Sequence, residues 1–364
     1  MSDSPEIDDK KATLAGFNPG TQLAIRLSSR LLVFVLIGVI LVTLKTVLIP
    51  FVLAVFLAFL LRPISEELTR RKVPAGLAIT VAELVAMMPV MALITIFLST
   101  AGPLSEQLPK YQDQIVHQLG RAIDGALTRV GSPSRREAIR KEISQNVVPG
   151  VLNKSAEYIQ RGIQAVTTAL GTFLLALVFS AFMLLEIGRI REKFVSIFGR
   201  SENLADDLEG ISSDVRRYVV AKTFISAVTA IAVWIFLELV DVDFAPFWGL
   251  IAFPLNFIPT VGAFVASIPP ILLASIDPSH SGFSVVGVAL GLVILNGFIG
   301  AVLDPRYVGN AVRVSPLVVF LSVLVWGVLW GPIGMILAVP IMVCLKVVCG
   351  RVPALSPVAR FLEG

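Results

Sequence analysis

The segment Phe253-Pro254-Leu255-Asn256-Phe257-Ile258-Pro259-Thr260-Val261-Gly262 gathers two prolines and a glycine around one amide side chain, in an apolar part of the chain. Each proline removes a backbone N–H donor, so the carbonyl one turn earlier loses its partner. Lipid cannot replace that partner, and broken backbone at membrane depth is tolerated only where it is buried in protein or lines a cavity. The segment therefore predicts an interrupted membrane helix. Asn256 either satisfies the opened backbone or, together with bare carbonyls, binds a polar solute or a cation.

The composition of the whole chain agrees with a membrane location. Charged residues make up 15% of the 364 residues and hydrophobic residues 55%, whereas a soluble domain carries about 25% charged residues. A soluble interior could not bury that much apolar side chain, so the composition predicts an all-α integral membrane protein in contact with the lipid bilayer. A disordered chain is excluded. Because no basic tract is present, nucleic acid is not expected as a partner.

Apolar runs of about 20 residues, the length that crosses a bilayer, predict seven or eight transmembrane helices. The first run, 31–61, divides into helices near 31–48 and 50–61 or forms one long tilted helix. Further apolar segments lie at the following positions: 76–100, 162–185, 223–240, 244–276, 278–303 and 314–345.

Basic residues in the short loops predict the orientation, because Lys and Arg favour the cytoplasmic side. They cluster at 62–72 and at 189–193, and two polar stretches with apolar residues three or four apart form amphipathic helical inserts. Both termini are expected in the cytoplasm. The predicted organisation is a cytoplasmic tail 1–30, first membrane helices 31–101, an extracytoplasmic helical insert 102–161, a transmembrane helix 162–185, a cytoplasmic amphipathic segment 186–222, carboxyl-terminal membrane helices with broken segments 223–348, and a cytoplasmic tail 349–364.

The stretches 244–276 and 314–345 are long for single helices, and each is interrupted midway by Pro or Gly. The second interruption is Trp330-Gly331-Pro332-Ile333-Gly334. If both stretches are simple spans, the loop with Arg306 and Arg313 lies outside, against the charge rule. If each folds back as a re-entrant hairpin of half-helices, that loop lies in the cytoplasm. Both alternatives remain open.

The candidate residues of a substrate or ion pathway come from these breaks and from the few charges within the apolar segments. The breaks contribute Asn256, Pro259, Gly262, Gly331, Pro332 and Gly334. Glu83 and Asp304 are the acidic candidates, because an acid deep in a membrane is costly unless it is paired or functional. Glu83 could instead lie at the membrane interface, and Asp304 could cap a helix and pair locally.

Motifs for other chemistry are missing from this sequence. It contains neither a Walker A pattern nor HExxH, and its two histidines, His117 and His280, lie far apart. We therefore expect no enzyme activity, no metal and no cofactor.

Several motifs of the carboxyl-terminal third resemble those of the autoinducer-2 exporter family of bacterial membrane proteins. The resemblance implies a multi-spanning transporter of the bacterial inner membrane, homo-oligomeric, that exports the quorum-sensing signal autoinducer-2 or exchanges sodium for protons. The motifs that carry it are the 255–262 segment, Ile268-Pro269-Pro270, Leu303-Asp304-Pro305, Val314-Ser315-Pro316-Leu317-Val318-Val319, and Trp330-Gly331-Pro332-Ile333-Gly334 through Val339-Pro340.

Three functions follow. The first is a secondary transporter that moves a small polar solute by alternating access around Asn256 and Gly331. The second is a monovalent cation (Na⁺)/proton antiporter in which Glu83 or Asp304 titrates. The third is an oligomeric membrane scaffold without transport, whose outer insert binds a partner. The scarcity of buried acids favours the first over the second.

Overall fold

A computed structural model describes residues 19–127, 137–138, 141–142, 145–146, 148–198, 202–259, 261–277, 282–307, 314–351, 357–358 and 362. These residues form helices and connecting turns, and none of them lies in a strand. The helices are α1 Pro19–Thr43, α2 Lys45–Arg70, α3 Ala75–Leu127, α4 Val148–Phe198, α5 Glu202–Leu239, α6 Ala245–Leu255, α7 Val261–Ile276, α8 Gly282–Phe298, a π-helical turn Ile299–Leu303, α9 Asp304–Tyr307 and α10 Pro316–Arg351. The predicted all-α class is confirmed.

Length and composition allow six of the helical segments to cross a membrane: Lys45–Arg70, Ala75–Pro103, Gln160–Glu186, Val215–Leu239, Ser284–Tyr307 and Pro316–Lys346. Shorter apolar helices, among them α6 and α7, add to this set. The expectation of about seven or eight membrane helices agrees with that inventory. Most of these helices keep large apolar side chains on their outer surface, as expected of a protein whose solvent is lipid.

The chain forms two compact units, Met1–Ile49 and Pro50–Gly364. In the first unit, large apolar side chains of α1 are exposed, among them Leu31, Leu32 and Phe34. Helix α1 ends at Thr43 and α2 begins at Lys45, so the helix boundary predicted near Pro50 lies instead at Leu44. Pro50 is inside α2. A proline costs a membrane helix one hydrogen bond and does not by itself end it.

In the second unit, α2, α3 and α4 pack through small side chains. Ala54, Ala58, Ala82 and Ala176 are buried in a shared cluster with larger apolar neighbours. Small residues let helix backbones approach closely, which is the main source of helix association in lipid. These three helices therefore form one apolar layer of the unit.

The stretch 245–276 folds back on itself, and we call it hairpin 1. Helix α6 ends at Leu255, and α7 begins at Val261. A Cβ added to Gly262 would overlap the carbonyl oxygen of Leu255, so the start of α7 rests directly on the end of α6. The limbs also share a buried cluster with Ala252 and Ala266. The fold-back that the hairpin alternative requires is therefore present in this stretch, and the side of the membrane on which its ends lie stays a prediction.

The stretch 316–346 also folds back, and we call it hairpin 2. Its turn is Gly331, at φ 69° and ψ −150°. A Cβ on Gly327 would lie 2.7 Å from the Cε of Met335, eight residues later. In a straight helix eight residues rise about 12 Å, so the two limbs lie side by side.

The limbs of hairpin 1 are too short to cross a bilayer singly. Helices α6 and α7 have 11 and 16 residues, which correspond to about 16 and 24 Å at 1.5 Å per residue. The hydrocarbon core is about 30 Å thick. Two half-length limbs joined by a turn are the geometry expected of a re-entrant segment.

Candidate functional site

Helix α5 carries a row of buried polar side chains, which we call the polar stripe. It consists of Tyr218, Lys222, Ser226 and Thr229, which are 4%, 5%, 0% and 1% exposed. Their spacing of four, four and three residues places them on one face of the helix. Buried polar groups need partners, particularly where lipid surrounds the helices. The stripe therefore marks the face of α5 along which polar contacts between helices are made.

The first of these contacts joins α5 to the end of α6. The Nδ2 of Asn256 donates a hydrogen bond to the Oγ of Ser226 over 3.1 Å, and Asn256 is 9% exposed. Its backbone N–H closes the last turn of α6 on the carbonyl of Ala252. A side-chain amide offers two donors and one acceptor. Among the described residues Ser226 is its one side-chain partner, so the amide keeps further hydrogen-bonding capacity at the break in hairpin 1.

The second contact is an ion pair one helical turn away. The Nζ of Lys222 lies 3.0 Å from each carboxylate oxygen of Asp304. The side chains are 6% and 31% exposed. The π-helical turn Ile299–Leu303 directly precedes Asp304 and ends with it as the capping residue. The local pairing considered for Asp304 is wrong, since its partner is 82 residues away in sequence.

This pairing also bears on the antiporter hypothesis. Both oxygens of Asp304 are engaged by an ammonium group. Breaking a buried pair costs several kcal/mol because it leaves one charge uncompensated. Asp304 is therefore not a free carboxylate ready to receive a cation. Across the described residues, no three His, Cys, Asp or Glu side chains come together in a way that could hold a metal ion.

The turn of hairpin 1 packs against both limbs of hairpin 2. Ile258, at the turn of hairpin 1, is buried in one cluster with Val323 and Ala338, which belong to the two limbs of hairpin 2. Hairpin 2 also packs on α2 and α5, where Leu337 and Val215 share a second cluster. The first sequence break thus lies against hairpin 2, which begins about 60 residues later in the chain.

Glu83 lies elsewhere, at the contact between α3 and α4. The Oγ of Ser180 is 2.9 Å from its Oε1, and Ser180 is completely buried. The polar stripe faces α6 and α9 instead. Of the predicted site residues, the structure brings Asn256 and Asp304 to α5, one helical turn apart, and leaves Glu83 in another region.

An apolar cavity adjoins the tip of hairpin 1. It has a volume of about 510 Å³ and is lined by side chains of α2, α3, α4, α6 and hairpin 2, including Phe253, Pro254 and Ile333. Asn256 is not part of its wall. In this conformation the amide therefore does not open into the cavity.

Sequence reasoning missed Tyr218, Lys222 and Ser226. The boundary placed after residue 222 assigned the lysine to a cytoplasmic segment, whereas α5 runs unbroken through it. The available signal was the spacing of Tyr218, Lys222, Ser226 and Thr229, a row of polar side chains on one face of an otherwise apolar helix.

Comparison with known proteins gives one consistent result. Residues 31–354 match the sequence profile of the AI-2E family transporters. The chain is 33% identical over 302 residues to the AI-2 transport protein TqsA of Escherichia coli K12, covering 83% of this chain and 85% of that protein. It is 30% identical over 321 residues to a Haemophilus influenzae protein provisionally named a transport protein, with 87% and 90% covered. A Bacillus subtilis protein, YrrI, also provisionally named a transport protein, is 26% identical over 322 residues, with 83% and 86% covered.

Proposed function

Because the chain belongs to the AI-2E family of transporters, we propose that it moves a small polar solute across the membrane and binds that solute at Asn256 and the polar stripe. The observation that carries the proposal is the hydrogen bond between Asn256, at the break of hairpin 1, and Ser226, on α5. Broken helices in membrane transporters characteristically place unpaired polar groups at the substrate site.

The chemistry of this region suits a neutral solute that carries hydroxyl or carbonyl groups. The amide and the Ser226 hydroxyl can both donate and accept hydrogen bonds. The nearby Lys222 and Asp304 neutralise each other, so the site presents no net charge from this pair. We propose the autoinducer-2 signal as the first solute to test, since a relative with 33% identity carries that solute in its name.

Access to Asn256 requires movement of the hairpins. The amide is 9% exposed, and Ile258 sits between the limbs of hairpin 2. We propose that the tips separate toward one side of the membrane at a time, with Pro259, Gly262, Gly331, Pro332 and Gly334 shaping the moving segments. Such gating around a fixed site is what alternating access means physically.

The test uses the full chain reconstituted in sealed liposomes, with flux of autoinducer-2 as the readout. Asn256→Ala and Ser226→Ala are each expected to lower flux about ten-fold, the effect of losing about 1.4 kcal/mol of binding. Glu83→Gln is expected to leave flux unchanged, because Glu83 lies in the α3–α4 contact.

The chain offers a matched control. Asn296 donates to the Oγ of Ser267 over 3.1 Å, the same pairing at the same distance but between α8 and α7. Asn296→Ala removes an equivalent hydrogen bond outside the proposed site, and its flux should remain near that of the wild type. Equal loss in the Asn256 and Asn296 variants would show that the Asn256 effect is structural and would refute the proposed site.

The setting of the protein is also a proposal. We place it in the bacterial inner membrane as a homo-oligomer, with both termini, the 186–222 segment and the 308–313 loop in the cytoplasm and the 102–161 insert outside. Cysteine labelling at Gly309 checks the orientation, since labelling from the outside contradicts it. Native mass spectrometry of the detergent-solubilised chain checks the oligomer, and a purely monomeric species contradicts it.

A further inference from the structure

A groove on the outer face of α5 combines two arginines with an apolar floor. It has a volume of about 630 Å³ and is lined by Ser213, Arg216, Arg217, Val220, Ala221, Phe224 and Tyr307. All of these except Tyr307 lie on α5, and Tyr307 ends the short helix α9. This face is distinct from the polar stripe, whose residues are buried.

The lining is ordered along the helix axis. Ser213, Arg216 and Arg217 come first, at the beginning of the candidate span Val215–Leu239. Val220, Ala221 and Phe224 follow one to two turns further into the span. From Ser213 to Phe224 the helix rises about 16 Å. The groove is therefore basic where the span begins and apolar where it continues into hydrocarbon.

The two guanidinium groups have capacity to bind an anion. Both residues are exposed, and neither takes part in the four ion pairs found among the side chains that the structure describes. Guanidinium groups pair with phosphate oxygens through two parallel hydrogen bonds. Basic pockets between membrane helices bind acidic lipid headgroups.

Two aromatic rings form the wall of the apolar half of the groove. The rings of Phe224 and Tyr307 are tilted against each other with centroids 5.6 Å apart. They are 53% and 54% exposed, so most of this wall faces outward. A free phosphate ion would use the arginines and leave the wall bare, whereas a phospholipid would place its headgroup on the arginines and an acyl chain along the wall.

We infer that this groove is a binding site for one anionic phospholipid, with the headgroup phosphate at Arg216 and Arg217 and an acyl chain against Val220, Phe224 and Tyr307. The bound lipid would bridge α5 and α9. Because α9 begins at Asp304, the lipid would hold that helix in place beside Lys222. The inference does not depend on which solute is carried.

The test is native mass spectrometry of the purified full chain in detergent, titrated with phosphatidylglycerol or with phosphatidylcholine of the same acyl chains. The wild type is expected to bind one phosphatidylglycerol at least ten-fold more tightly than phosphatidylcholine. Arg216→Gln with Arg217→Gln is expected to abolish that preference. A preference that persists in this variant, or no preference in the wild type, overturns the proposal.

A second arginine pair supplies the control. Arg70 and Arg71 are adjacent, exposed and located at the end of α2, and neither lines the groove. Arg70→Gln with Arg71→Gln removes the same charge and should keep the ten-fold preference. Its loss in this variant would mean that overall charge attracts the lipid, which also overturns the proposal. Circular dichroism of both double variants confirms that they are folded.

The apolar half is tested separately. Phe224→Ala is expected to weaken phosphatidylglycerol binding several-fold while leaving the binding of glycerol phosphate, a headgroup without acyl chains, unchanged. If inorganic phosphate or glycerol phosphate competes as well as the lipid, the groove is an anion site and the lipid assignment fails. If Arg216→Gln with Arg217→Gln lowers the oligomeric mass, the groove is covered by a second copy and the assignment also fails.

Discussion

Hairpin 1 and hairpin 2 bring their two limbs together in the same way, but they lie in different surroundings. In each, a glycine shortly after the turn sits against a backbone carbonyl of the preceding limb: Gly262 against Leu255 and Gly334 against Trp326. Hairpin 1 turns beside α5 and carries a buried amide that reaches Ser226. Hairpin 2 packs with apolar partners, its tip residue Ile333 against the cluster of Phe56 and its limbs against Ile258.

This difference distinguishes the features that fold the chain back from the polar side chains that could bind a solute. Close limb contact and a tight turn are enough to fold the chain back, since hairpin 2 does so without a charged or amide side chain in its 330–334 turn. The polar groups are concentrated where hairpin 1 meets α5. Hairpin 1 is therefore the better candidate for the segment that contacts the solute. Hairpin 2 is the better candidate for an apolar segment that moves during transport.

The largest expected effect comes from the ion pair beside hairpin 1. Lys222→Met leaves the carboxylate of Asp304 without its partner and should destabilise the protein by roughly 3 kcal/mol, at the low end for buried pairs because Asp304 is 31% exposed. Unfolding in mixed micelles with increasing dodecyl sulfate measures this. Adding Asp304→Leu should restore most of the loss, and exposed Lys45→Met should cost little. No recovery in the double variant would contradict the pairing.

The next effect tests the close contact between a glycine and a backbone carbonyl that both hairpins contain. Gly262→Ala and Gly334→Ala each force a methyl group into backbone that cannot move aside, at a cost of about 1–3 kcal/mol or more. The overlap is deeper at Gly262, so hairpin 1 should suffer more. The same unfolding measurement applies. Gly171→Ala, which meets no atom within 4 Å, is the control, and equal tolerance at all three positions would refute the close contact.

The backbone conformation of Gly331 is a feature of the turn of hairpin 2 that can be tested separately. At φ 69° and ψ −150° it occupies a region that is essentially restricted to glycine. Gly331→Ala should cost about 1–3 kcal/mol through backbone strain alone, since open space surrounds the site of its Cβ. Gly331→Asn should be no better, because asparagine tolerates the left-handed helical region and not this one. A stable Asn variant in the unfolding assay would argue against this turn geometry.

The smallest effect concerns a polar contact away from both hairpins. Ser180→Ala removes the hydrogen bond to Glu83 and should cost about 1 kcal/mol, as expected for side-chain hydrogen bonds between membrane helices. Solute flux in liposomes should be unchanged. A large loss of flux would move Glu83 into the pathway and weaken the assignment to hairpin 1.

Much of the architecture could be predicted from local sequence. Pro259 and Gly262 predicted the first break, and Gly331 and Pro332 the second, because each removes a backbone bond or permits a conformation that few other residues adopt. The length of the stretches and the charge of the loop at Arg306 and Arg313 suggested the hairpin alternative but left simple spans open as well.

The candidate site could be predicted only in part. Asn256 was conspicuous because of the prolines around it. Its partner Ser226 and the partner of Asp304 are set by the packing of α5 against hairpin 1 and α9, and contacts 30 and 82 residues apart leave no local signal. The boundary after residue 222 stays a prediction, and it kept Lys222 out of the candidate site because a lysine near a span end is ordinarily assigned to water.

The long sequence separation within the ion pair has a consequence for biosynthesis. Lys222 enters the nascent chain 82 residues before Asp304, which corresponds to roughly 4 to 16 seconds at synthesis rates of about 5–20 residues per second. During that interval the lysine has no carboxylate partner, and its long side chain must reach the headgroup region. Its position in the first two turns of the span Val215–Leu239 keeps that route open. We therefore expect α5 to reach its final position in the membrane only after α9 has been synthesised. In a chain that ends before residue 304, this helix should lie closer to the membrane surface.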